Sequence, residues 1–179
     1  MGKIYEELSE EHQQWIAEQP MFFVATASTA SESHVNVSPK GYDTFRIFDP
    51  RSVGYLDLTG SGVETIAHIR ENGRITIMFC GFTGRPRILR LYGTARVVRA
   101  GDEEFAERLA GFEELSGTRS LILVDLEMVR SSCGFSVPEM TLVGERSTLK
   151  DWSEKKGPEG IEAYWQKMNA TSLDGLAGL

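Results

Sequence analysis

The chain has 179 residues, about one domain's worth, and its 41% apolar and 25% charged residues are ordinary for a globular protein, excluding disorder, collagen-like repeats and disulfide scaffolds. The net charge of −7 is unevenly spread: residues 1–33 carry −5, residues 34–99 carry +5 and residues 100–179 carry −7. An acidic chain with a basic middle points to a local anion site rather than a general affinity for nucleic acid or membrane, although arginines snorkelling at sheet edges would give the same asymmetry.

Residues 5–18 read as a short helix, with Ser9 as its N-cap and Pro20 as its stop. MFFVATAS (21–28) is apolar and β-prone, and 29–33 is a turn. HVNVSP (34–39) alternates in strand fashion, with Val35 and Val37 on one face. TFRIF (44–48) and SVGYLDL (52–58) are strands separated by the turn Asp49-Pro50. TGSGVETIAHIREN is a loop and then a helix; Val63, Ile66, Ala67 and Arg70 share a face, and Gly73 is a suitable stop. RITIMFCGF (74–82) and RILRLYGTARVV (87–98) form a hairpin across TGRP. DEEFAERLAGF (102–112) is an acidic amphipathic helix, and TRSLILVDLEMVR (118–130) is a strand. Residues 148–155 and 159–169 read as helices, the second with the apolar stripe Ile161, Tyr164, Trp165 and Met168. The terminal TSLDGLAGL is too Gly-rich for a helix, yet its three leucines predict that it docks.

Four strands precede the first inner helix, so the order predicts an antiparallel barrel and not a βαβ sheet. No apolar run approaches the ~20 residues that span a bilayer. The polar, acidic start reads as neither a secretory signal nor a transit peptide, and Glu6 stands where a myristoylation signal wants Ser or Thr. Cys80 and Cys133 lack CxxC spacing, which argues against zinc or a disulfide framework and sets the expectation of a reduced, cytoplasmic protein.

The stretch with most chemical content is YLDL-TGSG-VETIAHI. Two glycines let backbone approach a ligand, and a helix start offers unpaired N–H groups and a positive dipole end, which together bind phosphate. Thr59 and Ser61 add hydroxyls. Ser61 and Glu64 equally fit a capping box, which would consume those donors. A Walker loop is excluded because Val63 follows Gly62, and the dinucleotide fingerprint fails at Thr65. In SPKGYD (38–43), Lys40 beside Gly41 either places a cation over a phosphate or is a solvated turn residue. Arg87 and Arg90 fall on opposite faces of a regular strand, so at most one enters a shared site. His12, His34 and His68 are scattered, with no metal or triad spacing, so chemistry would belong to a bound cofactor.

From about Pro20 to Val98 the chain resembles the pyridoxamine 5′-phosphate oxidase-like, FMN-binding split-barrel family. The matching segments are HVNVSPKGYD, VGYLDLTG, ETIAHIREN, RITIMFCGF and RILRLYGTARV. The resemblance implies a mainly β (α+β) fold: an antiparallel six- to seven-stranded split β-barrel with flanking helices, in one FMN-binding domain over 1–179. Residues 1–19 would be an N-terminal helix, 20–130 the barrel and 131–179 a helical extension. It further implies a homodimer with FMN at the subunit interface. Lys40 matches the family's phosphate-binding lysine, Thr59 the threonine of its Thr-Asn pair with Gly60 in the Asn position, and Arg87 the arginine near the flavin ring. Ser38, Ser61, Gly62 and Thr65 come from the same segments, and Trp152 is either a flavin or substrate lid or a core or dimer contact.

The sequence departs from the family pattern at identifiable places. Val35 stands where a strand arginine is usual, and Val63-Glu64-Thr65 replaces Ser-Arg-Lys. The C-terminal Arg-Leu-x-Pro pattern associated with vitamin B6 substrates is absent. The expectation is therefore an FMN-dependent oxidoreductase of another small molecule, with hydride transfer at the flavin N5 and no assigned catalytic residue. The alternatives are a non-catalytic FMN- or haem-binding storage or sensing module, and a nucleic-acid-binding barrel using Tyr42, Phe45 and Tyr55. The −7 charge argues against the last.

Overall fold

A computed structural model of the chain describes residues 2–179. In chain order the elements are β1 (Lys3–Tyr5), α1 (Glu10–Ala17), β2 (Phe22–Ala27), β3 (Val35–Lys40), β4 (Phe45–Asp49), β5 (Ser52–Leu58), α2 (Glu64–Asn72), β6 (Arg74–Cys80), β7 (Arg87–Arg99), α3 (Glu103–Leu109), β8 (Thr118–Cys133) and α4 (Thr148–Met168). The strands form one sheet in the order β3-β2-β6-β7-β8-β5-β4, with β1 paired to β8. All the pairings are antiparallel.

Side chains join the two ends of this sheet. Phe45 of β4 meets Phe22 of β2 and Phe79 of β6 edge-on, with ring centroids 5.2 and 5.0 Å apart, the geometry aromatic quadrupoles favour. At the same junction Lys40, the last residue of β3, reaches Asp57 of β5. The sheet is thereby curled into a barrel whose seam is packed and ion-paired. Val24, Tyr55, Ile77, Leu91, Ile122 and Val129 fill its interior. A second cluster lies on the other face of β5 and β8, where Leu56, Leu121 and Leu123 pack beneath Phe105 and Leu109 of α3. Coverage on both faces explains why the middle of β5 is buried without alternation.

The helical expectations hold in part. Ser9 does cap α1: its hydroxyl accepts from the His12 amide, and the His12 ring accepts from the Ser9 amide. The helix starts only at Glu10, because residues 3–5 are spent on β1. That strand raises the strand number to eight, one above the expected range. Gly73 ends α2 in the left-handed region at φ 73°, where a side chain would be strained. The two expected C-terminal helices are there, run together across a break at Gly157-Pro158. Their apolar stripe is narrower than the spacing suggests, since Ile161 is buried but Met168 is exposed. The tail docks: Thr171 bridges Ala177, and Leu179 packs on the core while Leu173 stays outside. Among the described residues no helix is long and apolar enough to cross a membrane.

Gly93 lies at the irregularity in the β7–β8 pairing, and a Cβ there would press on the Asp125 carbonyl oxygen. Backbone cannot swing aside as a side chain can. Gly93→Ala is expected to cost about 1–3 kcal/mol, read as a lower urea midpoint at unchanged slope. An unchanged midpoint would mean that β8 can shift.

Candidate functional site

Three segments converge beside the barrel seam: the end of β3, the loop 59–62 that follows β5, and the first turn of α2. Between them lies a polar cavity of about 210 Å³ lined by Ser38, Lys40, Gly60, Ser61, Gly62 and Thr65, together with Asn36, Leu58, Glu64 and Arg119. It opens beside a larger cleft of about 510 Å³, with which it shares Lys40, Leu58 and Gly60. The cleft is mostly apolar, lined by Tyr42, Leu56, Leu58, Leu149 and Trp152, with Thr59 and Arg146 also on its wall. All the site residues named from sequence except Arg87 thus line one or both of two adjoining cavities.

The polar cavity rests on a buried ion-pair network. Asp57 is fully buried and takes Arg119 Nε at 2.5 Å, Ser120 Oγ at 3.4 Å and Lys40 Nζ at 3.4 Å. The side chain of Arg119 is only 4% exposed. Its Nη1 also donates to the Gly62 carbonyl at 2.8 Å and to Asn169 Oδ1 at 2.9 Å. Asn169 Nδ2 in turn donates to the Gly60 carbonyl at 3.1 Å. The loop that faces the cavity is therefore fastened by two side chains, Asn169 from behind and Arg119 from the cavity wall. Burial, with the Asp57 carboxylate nearby, pushes the Tyr55 phenol well above its usual range, so this core hydroxyl stays neutral.

The head of α2 is open. Val63 is its N-cap and no side chain caps it, so the Ser61–Glu64 capping box does not form. The Glu64 carboxylate instead accepts from the Leu173 amide at 3.1 Å. Its charge still sits at the positive end of the helix dipole, where it competes with any anion. Thr65 Oγ1 accepts from Asn36 Nδ2 at 3.0 Å and keeps its own proton to donate. Ser38 Oγ is buried without a hydrogen-bond partner among the described residues. An orphaned buried hydroxyl on a cavity wall is costly unless a ligand completes it. Nothing lies within 4 Å of where a Cβ on Gly60 would stand, which leaves backbone there open to close approach.

Two of the named residues have their polar groups engaged within the chain. Thr59 lines the cleft, but its hydroxyl donates to the Gly117 carbonyl at 2.6 Å and accepts from Trp165 Nε1 at 2.8 Å. Its proton is spent, so it can only accept further. Arg87 lies on β7, three strands along the sheet from β3, where its guanidinium pairs with Glu11 and stacks over Trp15 at 5.6 Å. That hydrogen bond holds the Glu11 carboxyl below its usual range. Trp152 lies at the cleft and on the surface of α4. It packs edge-on against Tyr164 at 5.1 Å beneath Lys156.

Sequence reading missed Asp57, Arg119 and Asn169. A carboxylate inside the apolar strand VGYLDL was the available signal, since an unpaired buried charge is intolerable. It placed Tyr42 only among the aromatics of the nucleic-acid alternative; the Tyr42 backbone sits at φ 58°, where the other positive values among the described residues belong to glycines, and its hydroxyl donates to the Arg146 carbonyl at 2.6 Å. Strain of this kind gathers where a cleft is shaped.

The curled antiparallel sheet, with two adjoining cavities beside its seam, defines a split-barrel protein. Residues 8–133 match the family model for pyridoxamine 5′-phosphate oxidase. The pyridoxamine 5′-phosphate oxidase family protein ustO of Aspergillus flavus is 40% identical over 196 aligned positions, covering all of this chain and 78% of that protein. Two solved structures show the same fold. A variant of HupZ from group A Streptococcus is 24% identical with a TM-score of 0.55, over 69% of this chain and 98% of that one. A Clostridium acetobutylicum protein of the pyridoxinephosphate oxidase family, related to general stress protein 26, is 11% identical with a TM-score of 0.52, over 69% and 86%. The chain belongs to the pyridoxamine 5′-phosphate oxidase family.

Proposed function

We propose that this protein binds FMN and is an FMN-dependent oxidoreductase of a small molecule. The observation that carries the reading is the adjacency of a polar, cation-bearing cavity to an apolar cleft, with Lys40 and Gly60 on the wall of both. The cleft falls within the ~300–1,000 Å³ of ordinary ligand sites. In this reading Lys40, Ser38, Ser61, Thr65 and the open head of α2 hold the phosphate. Ser38 and Thr65 each bring a hydroxyl proton that the protein leaves unused. Gly60 and Gly62 let the loop backbone come close. Leu56, Leu58 and Trp152 cover the ring and exclude water. Bound FMN supplies a centre at N5 that exchanges a hydride with the substrate. Arg87 is assigned no flavin contact within one protomer.

The homodimer is part of the same proposal. Edge strand β3 exposes Val35 at 70% and Val37 at 62%, an apolar edge that monomeric proteins usually blunt. A second reading, a non-catalytic FMN- or haem-binding storage or sensing module, has one observation in its favour. Among the described residues the cleft lining includes no carboxylate and no imidazole to move a proton.

Titration decides between them. FMN added to the purified protein is expected to lose its fluorescence in a saturable way at micromolar concentration, and bleaching by NADPH without air is expected of the reductase. Saturable binding that no reductant discharges would favour the module, and a haem Soret shift would name its ligand. A colourless protein that leaves FMN fluorescence untouched would end the flavin reading.

A further inference from the structure

Four separate contacts bring the C-terminal tail to the polar cavity. Asn169, at the end of α4, is fully buried and donates to the Gly60 carbonyl while accepting from Arg119. The Leu173 amide donates to Glu64. Asp174 accepts from the His34 amide at 2.8 Å and contacts the His34 ring at 2.7 Å, just ahead of β3. Gly178 packs so tightly between the Asn169 carbonyl and Val63 that no side chain would fit, and the Leu179 amide closes back on Asn169. One short segment thus touches the approach to β3, the loop 59–62, the start of α2 and the arginine beneath them. None of it lies in the residues 8–133 that match the family model, although the alignment with ustO runs through it.

We infer that residues 169–179 are a latch that sets the anion-binding geometry of the loop 60–62, with Asn169 and Arg119 as its positioning residues. Peptide planarity couples the two faces of the loop. In a trans peptide the C=O and N–H point in opposite directions. Drawing the Gly60 carbonyl towards Asn169 turns the Ser61 N–H the opposite way, while Arg119, itself on the cavity wall, holds the Gly62 carbonyl and Asn169 in place. Ser61 lines the cavity and Asn169 does not, so the freed donor faces the side an anion would occupy. Two glycines in a four-residue loop have no conformational preference strong enough to hold that orientation unaided. Arg119 is better suited to fastening than to binding. Four of its five N–H donors are already engaged, by Asp57, Gly62 and Asn169.

The inference rests on the flavin reading for its ligand, but not for its geometry. The test uses the full chain carrying Asn169→Ala, with FMN and riboflavin as probes, since the two differ only in the phosphate. The latch predicts that FMN affinity falls about tenfold or more while riboflavin affinity stays within about twofold, the loss expected of misdirected charge-assisted donors. It also predicts that amide order parameters at residues 60–62 fall from rigid values near 0.85 to below about 0.6. Equal losses for both flavins, or no loss for FMN, would overturn it. If Asn169→Ala fails to fold, Asn169→Asp, which keeps an acceptor for Arg119 but no donor for Gly60, carries the same predictions. If the wild-type chain binds neither flavin, the flavin reading alone fails. The latch then stands or falls on the order parameters, and unchanged values in the variant would overturn it.

Discussion

Asp57→Asn is expected to destabilise the protein by about 3–5 kcal/mol, the usual result of removing one member of a buried ion pair. The substitution keeps the shape and removes only the charge. Asp57 is fully buried and its first partner, Arg119, is 4% exposed, so the guanidinium cannot retreat into water when its counter-charge goes. The Lys40 side chain, 19% exposed, has more freedom to do so. The loss would therefore fall mainly on Arg119, and through it on the Gly62 and Asn169 bonds it makes. Urea unfolding should show a lower midpoint with little change in slope. The double variant Asp57→Asn, Arg119→Gln should lose less than the single one, because it leaves no buried charge unpaired. A single-variant loss below about 1 kcal/mol would mean that water reaches Arg119 and that the network is not the foundation of the loop.

The fold was largely legible because its signals are local. Strand β2 alternates buried and half-buried residues along its whole length, as a period of two requires. The turn at Asp49-Pro50 and the left-handed Gly73 need only their own backbone chemistry. The short β1 was not legible, since its three residues are strand only because β8 is there to pair with them. The site divides along the same line. Lys40, Ser38 and the two loop glycines announce themselves by type and spacing. The fate of Thr59 and Glu64 does not, because each is decided by distant chain. Trp165 claims the Thr59 hydroxyl from 106 residues away, and Leu173 claims the Glu64 carboxylate from 109. Arg119 meets Asp57 across 62 residues. The basic middle of the chain is thus only half of the electrostatic story. One of the two cations on the polar cavity lies outside it, on β8, and both share a single carboxylate.

That shared carboxylate separates the second large effect from the first. Lys40→Ala is expected to weaken FMN binding about tenfold or more, since a partly buried charge-assisted hydrogen bond contributes roughly 1.5–3 kcal/mol. The cost in stability should be much smaller. Lys40 Nζ lies 3.4 Å from Asp57 and 5.8 Å from the centre of the Tyr55 ring, a loose hold that uses one of its three N–H donors. Arg119 remains to neutralise Asp57 when Lys40 is gone, so no buried charge is stranded. The two variants should therefore separate cleanly: Asp57→Asn moves the unfolding midpoint, and Lys40→Ala moves the dissociation constant. Riboflavin, which lacks the phosphate, should bind the Lys40→Ala protein as it binds the wild type. An unchanged FMN affinity would remove Lys40 from the site, and the only cation then left on the polar cavity would be Arg119, with a single N–H to spare. A phosphate could not be held there by charge, and the head of α2 would have to do the work with Glu64 against it.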